Sequence, residues 1–333
     1  MPPATRGGRK SGGPSAATVA ANNAVETLVV NAFISAHASA ATLNNQKRVL
    51  LEALKKDDQL VPIVKKITEL VVRTLSISLS ADAMRRHIQL LRDLALACRD
   101  ELKNDVLQVT ILENILPFNN AVDKNVRLAT CALMDALLRT LDQEQDRGDF
   151  YDSVVEALKY RVHDKVPAIR EKALASISVF QQAKRDCDVT QNILSALCED
   201  HSSAVRRQAI LSGSPKDVYF PSFVRSTRDS VAAVRKEAWQ QLGKYKFTWM
   251  EAYCKVYDVQ LIHVLAQGFR DTTDMVRKAC LWTATQCWLK RDLNNDCNAF
   301  LGKTKLVNCS DADLMKVAQE LLLYSKKLKA AEA

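Results

Sequence analysis

Aromatic residues are scarce in this chain, at 6% of 333 positions, and there are only nine glycines and eight prolines. A sheet protein of this length would use more of all three in its strands and turns, so an all-α fold is expected. No stretch alternates apolar and polar residues in the manner of a strand. Histidine is also rare, with five copies, and the nine cysteines contain no Cys-x-x-Cys pair. That argues against a zinc module and leaves the cysteines as small, reduced, mostly buried hydrophobes. A Gly-x-Ser-x-Gly elbow, a P-loop, a His-Glu-x-x-His pair and a Gly-rich fingerprint are all missing. No enzyme chemistry, cofactor, metal or small-molecule substrate is therefore expected. The first long uncharged stretch, 27–43, contains Asn31, Ser35, His37 and Ser39. It is too short and polar to span a bilayer, so no membrane partner is expected.

What is present is 47% apolar residues, suited to Leu-, Ala- and Val-rich helices, and a formal net charge of +9. Net charge speaks to partners and not to fold, and this one favours a polyanion. Residues 1–18 combine Pro2, Pro3, Gly7, Gly8, Gly12, Gly13 and Pro14 with Arg6, Arg9 and Lys10. No core can be built from them, and a disordered basic tail is expected. The Ala-, Ser- and Arg-rich start, with no acid before Glu26, would also suit an organelle transit peptide.

The chain repeats one phrase four times. It runs Asp164-Lys-Val-Pro-Ala-Ile169-Arg170-Glu-Lys-Ala173, then Asp200-His-Ser-Ser-Ala-Val205-Arg206-Arg207-Gln-Ala209, then Asp229-Ser-Val-Ala-Ala-Val234-Arg235-Lys236-Glu-Ala238, then Asp271-Thr-Thr-Asp274-Met-Val276-Arg277-Lys278-Ala279-Cys280. A decayed fifth copy is Asp123-Lys-Asn-Val126-Arg127-Leu-Ala129. Successive arginines lie roughly 29 to 43 residues apart, the spacing of a helical-repeat array. The Asp ends a turn and can cap the next helix. The β-branched residue opens a buried stripe at helical steps, as in Ile169, Ala173, Ile177, Phe180 and in Val276, Cys280, Ala284, Cys287. The Arg sits in the first helical turn, where the helix dipole disfavours a cation. An Asp from its own turn or from the next repeat would compensate. The expectation is a structural ladder of Asp164, Arg170, Asp200, Arg206, Asp229, Arg235, Asp271 and Arg277. Arg207, Lys236 and Lys278 follow the ladder arginines. They are turned about 100° around the helix, free to face solvent or a polyanion.

The array is expected over 19–330, with its clearest repeats over 120–310. An Ala-rich helix spans 18–43 and breaks at Asn44–Asn45, followed by a helix over 46–56. Further helices cover 61–79, 82–103, 105–116 and 123–141. A charged loop, 142–149, precedes the pairs 151–163 with 167–182 and 189–199 with 202–211. Gly213, Pro215 and Pro221 make an irregular joint, so the helix over 221–228 is short. The pairs 231–244, 251–269 with 274–290, 293–306 and 311–327 complete the chain.

Tandem helix hairpins carrying Asp-x5-Arg resemble HEAT repeats. Asp164 to Ala173, Val205-Arg206-Arg207, Phe220-Pro221-Ser-Phe-Val224-Arg-Ser-Thr227-Arg228-Asp229, Val234-Arg235-Lys236-Glu-Ala238, Gln267-Gly268-Phe-Arg-Asp271, Val276-Arg277-Lys278 and Trp288-Leu289 are similar in order and spacing to the condensin subunit 3 (CAP-G) family. The resemblance covers about 120–310. It implies an α-solenoid of stacked antiparallel helix pairs and a non-catalytic condensin subunit acting in mitotic chromosome condensation. The ATPase would reside in separate SMC subunits. The chain would bind a kleisin segment and, with it, grip double-stranded DNA in a basic groove without sequence preference. It would reside in the nucleus and on chromosomes, with cytoplasm in interphase. Lys47 and Arg48 loosely resemble a basic spot of the family. With Arg207, Arg225, Arg228, Lys236 and Lys278 they make the candidate DNA contacts, Arg225 and Arg228 on the short helix beside Lys236. Family members are far longer, with a large C-terminal HEAT region. A chain stopping at Ala333 is a fragment, a divergent short form or a truncated gene model, lacking much of the kleisin-docking surface. The alternative is a HEAT or armadillo adaptor that binds only proteins. The discriminating feature is whether the basic residues share one face.

Overall fold

The computed structural model describes residues 16–77, 80–140 and 148–304, and every regular element among them is helical. The chain divides into two compact units, residues 1–146 and 147–333.

Unit 1 holds α1 (Ala16–Ala38), α2 (Ala40–Leu54), α3 (Asp57–Leu75), α4 (Ala81–Leu102), α5 (Val106–Ile115) and α6 (Lys124–Leu138). Helices α1, α3 and α5 pack in one layer and α2, α4 and α6 in the other. Val29, Leu50, Ile63, Ile67, Leu90 and Leu94 are wholly buried between them. The α4 stripe shows why: His87, Leu90, Leu91, Leu94 and Cys98 recur at three- and four-residue steps, and all five are buried. The first helix breaks at Ser39 and not at Asn44–Asn45, which lie inside α2. Ser39 is extended and its hydroxyl accepts the Thr42 N–H at 3.3 Å, giving α2 a cap. The two exposed asparagines face solvent and cost the helix only their modest propensity.

Unit 2 holds α7 (Gly148–Val162), α8 (Pro167–Ile177), α9 (Asp188–Glu199), α10 (Ser203–Ser212), α11 (Phe220–Ser226), α12 (Ala232–Leu242), α13 (Phe247–Val256), α14 (Leu261–Phe269), α15 (Asp274–Trp282) and α16 (Cys297–Thr304). Helices α7, α9 and α11 form one layer, while α8, α10, α12 and α15 pack in succession as the other. The small phrase residues Ala173, Ala209, Ala238 and Cys280 are wholly buried, where the helices approach. At Gly268 of α14 an added Cβ would overlap the Cys280 sulfur and lie 2.6 Å from Trp239. Only glycine fits there.

Three expected helices differ in detail. The helix expected over 167–182 ends at Ile177 and tightens into a 3₁₀ turn, Ser178–Phe180. The one expected over 251–269 is two, α13 and α14, with Asp258 between them in the left-handed region (φ 50°). The one expected over 274–290 is α-helical to Trp282 and continues as a π-helix, Thr283–Asp292. There the Thr283 hydroxyl donates to the Trp239 carbonyl at 2.8 Å. Val276, Cys280, Ala284 and Cys287 are nonetheless all buried.

The expected tail lies outside the described residues up to position 15, and positions 16–18 open α1. Positions 142–147 of the charged loop and the helix expected over 311–327 also lie outside them. Among the described residues no helix is long and apolar enough to cross a membrane. Nor does any cluster of three or more His, Cys, Asp and Glu among them offer a metal site.

Candidate functional site

The phrase builds the turn that joins the two layers of unit 2. Each Asp accepts the N–H two residues ahead through Oδ1. Val166 donates to Asp164 at 2.9 Å, Ser202 to Asp200 at 2.8 Å, Val231 to Asp229 at 2.8 Å and Thr273 to Asp271 at 2.9 Å. The Asp thus closes an Asx turn and is not itself the N-cap, which falls on Val166, Ser202, Val231 and Thr273. Only Asp123, in the decayed copy, is the N-cap of its helix, α6.

That turn aims the carboxylate at the preceding repeat. Arg170 forks onto Asp200 with two bonds of 2.7 Å. Arg206 forks onto Asp229 at 2.7 and 2.8 Å, and Arg235 onto Asp271 at 2.6 and 2.8 Å. The third arm of each guanidinium donates to the carbonyl of its own Asp: Asp164 at 2.9 Å, Asp200 at 2.8 Å and Asp229 at 2.9 Å. Each Arg therefore closes its own turn and clasps the next repeat. Arg277 donates to the Asp271 carbonyl at 2.6 Å, but its carboxylate is Asp274 of its own helix, at 3.3 Å. Asp164 receives Arg161 at 2.6 Å, both side chains buried. Burial alone would raise the Asp200 and Asp229 carboxyls. The clasping guanidinium and the turn N–H overcome it and hold both below the usual carboxylate range. At Asp271 the Arg235 bonds dominate, and the shift is again downward.

Arg207, Lys236 and Lys278 occupy one register position on α10, α12 and α15, which pack in that order. One register position on successively packed helices is the arrangement expected of a row. The row is not purely basic. Glu237, a buried carboxylate, accepts Arg207 at 2.9 Å and lies 4.0 Å from the Lys236 ammonium. Lys278 pairs with Asp274 at 2.7 Å. The phrase pattern does not mark Glu237, because its pairing with Arg207 is made across repeats. Arg225 and Arg228 do not share that register position. Both are exposed, on α11 and the turn after it, and line a groove with Glu199, His201, Arg206 and Ser230. In unit 1, on α2, Lys47 is tied to Asp93 at 2.7 Å, and Arg48 is exposed.

No protein-family model matches the chain. Its sequence is 30% identical to human condensin complex subunit 3 over 179 residues, 53% of this chain and 17% of that protein. It is 26% identical to the Schizosaccharomyces pombe protein of the same name over 219 residues, 64% of this chain and 24% of that one. Over those stretches this chain is similar in sequence to condensin complex subunit 3. Its fold agrees. A chain of the S. pombe condensin Cnd3–Cnd2 subcomplex superposes with a TM-score of 0.70 at 20% identity, over 93% of this chain and 38% of that one. The fold is an all-α HEAT-repeat solenoid. The chain spans well under half the length of the condensin subunit 3 relatives it matches.

Proposed function

We propose that the chain is a non-catalytic HEAT-repeat subunit of a condensin. It would bind a kleisin segment and, with it, double-stranded DNA without sequence preference. The observation that carries the reading is the shared fold over 93% of the chain with the Cnd3–Cnd2 subcomplex, joined to the sequence relation to condensin complex subunit 3. The relative in that subcomplex is solved together with Cnd2, which makes a kleisin segment the partner to test. Assembly with SMC subunits, a part in mitotic condensation and a place on nuclear chromosomes follow from the same relation. The DNA contact rests on the row Arg207, Lys236 and Lys278, where cations repeated along packed helices can follow a phosphate backbone. Arg48, with Lys47 beside it, is a separate candidate contact on unit 1 by itself. The carboxylates Glu237 and Asp274 within the row favour a second reading, a scaffold that binds only proteins.

The test is binding to a random-sequence duplex over a salt series, with and without a kleisin peptide. The expected result is a log–log salt slope lowered by about 2 to 3 when Arg207, Lys236 and Lys278 are reversed together. No binding at low salt under either condition would leave the protein-only scaffold.

A further inference from the structure

Arg225 and Arg228 lie three positions apart at the end of α11, and both open onto the groove lined by Glu199, His201 and Ser230. The other charges of that groove are already engaged. Asp200 is forked by Arg170 and Asp229 by Arg206, and each also accepts a turn N–H. Glu199 is exposed and accepts the Ser195 hydroxyl at 3.1 Å. Arg228 gives its Nε to a neutral oxygen, Gln267 Oε1, at 2.8 Å. Its terminal nitrogens have no hydrogen-bond partner among the described residues. Arg225 has no hydrogen-bond or ion-pair partner among the described residues, and its side chain is exposed. Two guanidiniums therefore face one groove with no carboxylate committed to either.

Arginines at this spacing suit a phosphoryl group, whose oxygens accept paired N–H donors from both forks. We propose that this groove takes one phosphorylated serine or threonine of a partner peptide. A duplex is the less suitable occupant. Its backbone presents a phosphate at every step and would bring several past the exposed Glu199 carboxylate, whereas a single phosphoryl group needs only the space between the two arginines. The neighbouring surface also suits a peptide. Phe220, on the same helix as Arg225, packs against Trp249 and Tyr253 of α13 at ring distances of 5.9 and 5.7 Å. Beyond them Tyr257 and Val256 are exposed by 54% and 75%. Apolar residues flanking the phosphorylated position would meet this aromatic surface.

The groove shares no lining residue with the Arg207, Lys236 and Lys278 set, so the two can be altered independently. The probe is a short labelled peptide with one phosphoserine flanked by Leu and Val, titrated by fluorescence anisotropy into the full chain. It is expected to bind at least about tenfold more tightly than its unphosphorylated form. R225Q and R228Q should each remove most of that preference, and R225E/R228E all of it, with far-UV circular dichroism unchanged. An unlabelled duplex should not displace the peptide, and R225E/R228E should leave any DNA salt slope as it was. Equal affinity for the two peptides would overturn the proposal. So would displacement by duplex together with a lowered DNA slope in R225E/R228E, which would make the groove part of a DNA path. Displacement by inorganic phosphate as effective as by the phosphopeptide would reduce it to a bare anion site and overturn the peptide assignment.

Discussion

In unit 1, neighbouring helices are bridged at the surface by single ammonium groups: Lys47 of α2 to Asp93 of α4, Lys66 of α3 to Glu26 of α1, Lys55 after α2 to Glu101 of α4. Unit 2 has such bridges too, Lys159 of α7 to Asp188 of α9 and Lys303 of α16 to Glu251 of α13, but it adds a second kind of fastening, made by Arg170, Arg206 and Arg235. Each is forked onto one carboxylate and anchored to one carbonyl, with side chains only 13–15% exposed. A fork fixes both distance and angle, and a lone ammonium on a flexible stem fixes neither. Repeating a fork therefore repeats a geometry. This is why the phrase is spelled out clearly after residue 160 and only dimly before it. The aromatic residues divide the same way. All four tryptophans, Trp239, Trp249, Trp282 and Trp288, belong to unit 2, so tryptophan fluorescence reports that unit alone.

Acid should separate the units most strongly. His87 is buried against Phe33, and burial, with the nearby His37 and Arg86 charges, pushes its pKa down to about 4. Below pH about 6.5 the unfolded chain takes up a proton that the folded one refuses. Unit 1 therefore has its full stability above about pH 6.5 and loses roughly 3 kcal/mol as the pH falls to about 4. The ladder carboxyls of unit 2 are shifted the other way, below the usual range. Their contribution is present above the unfolded carboxylate pKa and lost only as the pH falls through their own lower values. Between pH about 6 and 4, helix content should fall in circular dichroism while tryptophan fluorescence holds. His87→Phe should abolish that early loss. Simultaneous loss of both signals would refute the contrast.

The next effect concerns the clasp. Arg206→Ala removes both bonds to Asp229 and leaves that partly buried carboxylate without its cation. The cost should be about 2 kcal/mol, read from the fluorescence midpoint in urea. Arg206→Lys should restore only part of it, because the fork is lost. The smallest effect should come from Lys66→Ala in unit 1, whose partner Glu26 is exposed and screened. Its denaturation midpoint by circular dichroism should match that of the unaltered chain. If it moved as far as that of Arg206→Ala, the distinction between the two kinds of fastening would collapse.

The positions of the phrase are legible because each meets a separate local demand: an Asx turn for Asp, a buried face for Val or Ile, close approach for Ala. His87 sits visibly in the stripe with Leu90, Leu91, Leu94 and Cys98. What stayed hidden depends on tertiary partners or on breaks without punctuation. The partner of Arg207 is Glu237, in the next repeat, and nothing local pairs them. The gap between α13 and α14 has neither Gly nor Pro, only Asp258 bending into a left-handed conformation that Asp tolerates. The break at Ser39 lies between alanines that would continue a helix on either side. The π-helix after Trp282 depends on Thr283 reaching the Trp239 carbonyl on another helix. At the candidate site the shared register of Arg207, Lys236 and Lys278 was readable from phrase position. That Arg225 and Arg228 share a groove with Glu199 and His201 was not, because it depends on which layer α11 joins.

The forks also have a mechanical consequence. All three lie at the turns between layers, so they run along one edge of unit 2 and set its length. The stretch between α10 and α11 on the opposite edge is tied by neutral, single bonds: Gln181 donates to the Ser212 carbonyl at 2.7 Å and accepts the Ser214 N–H at 3.3 Å, and Tyr245 donates to the Lys216 carbonyl at 2.7 Å, weaker than a charged fork. Under tension the stack should pivot about the clasped edge as a book opens from its spine, lengthening only on the far side. A load drawn along unit 2 would meet a spring that is stiff in one bending direction and compliant in the other.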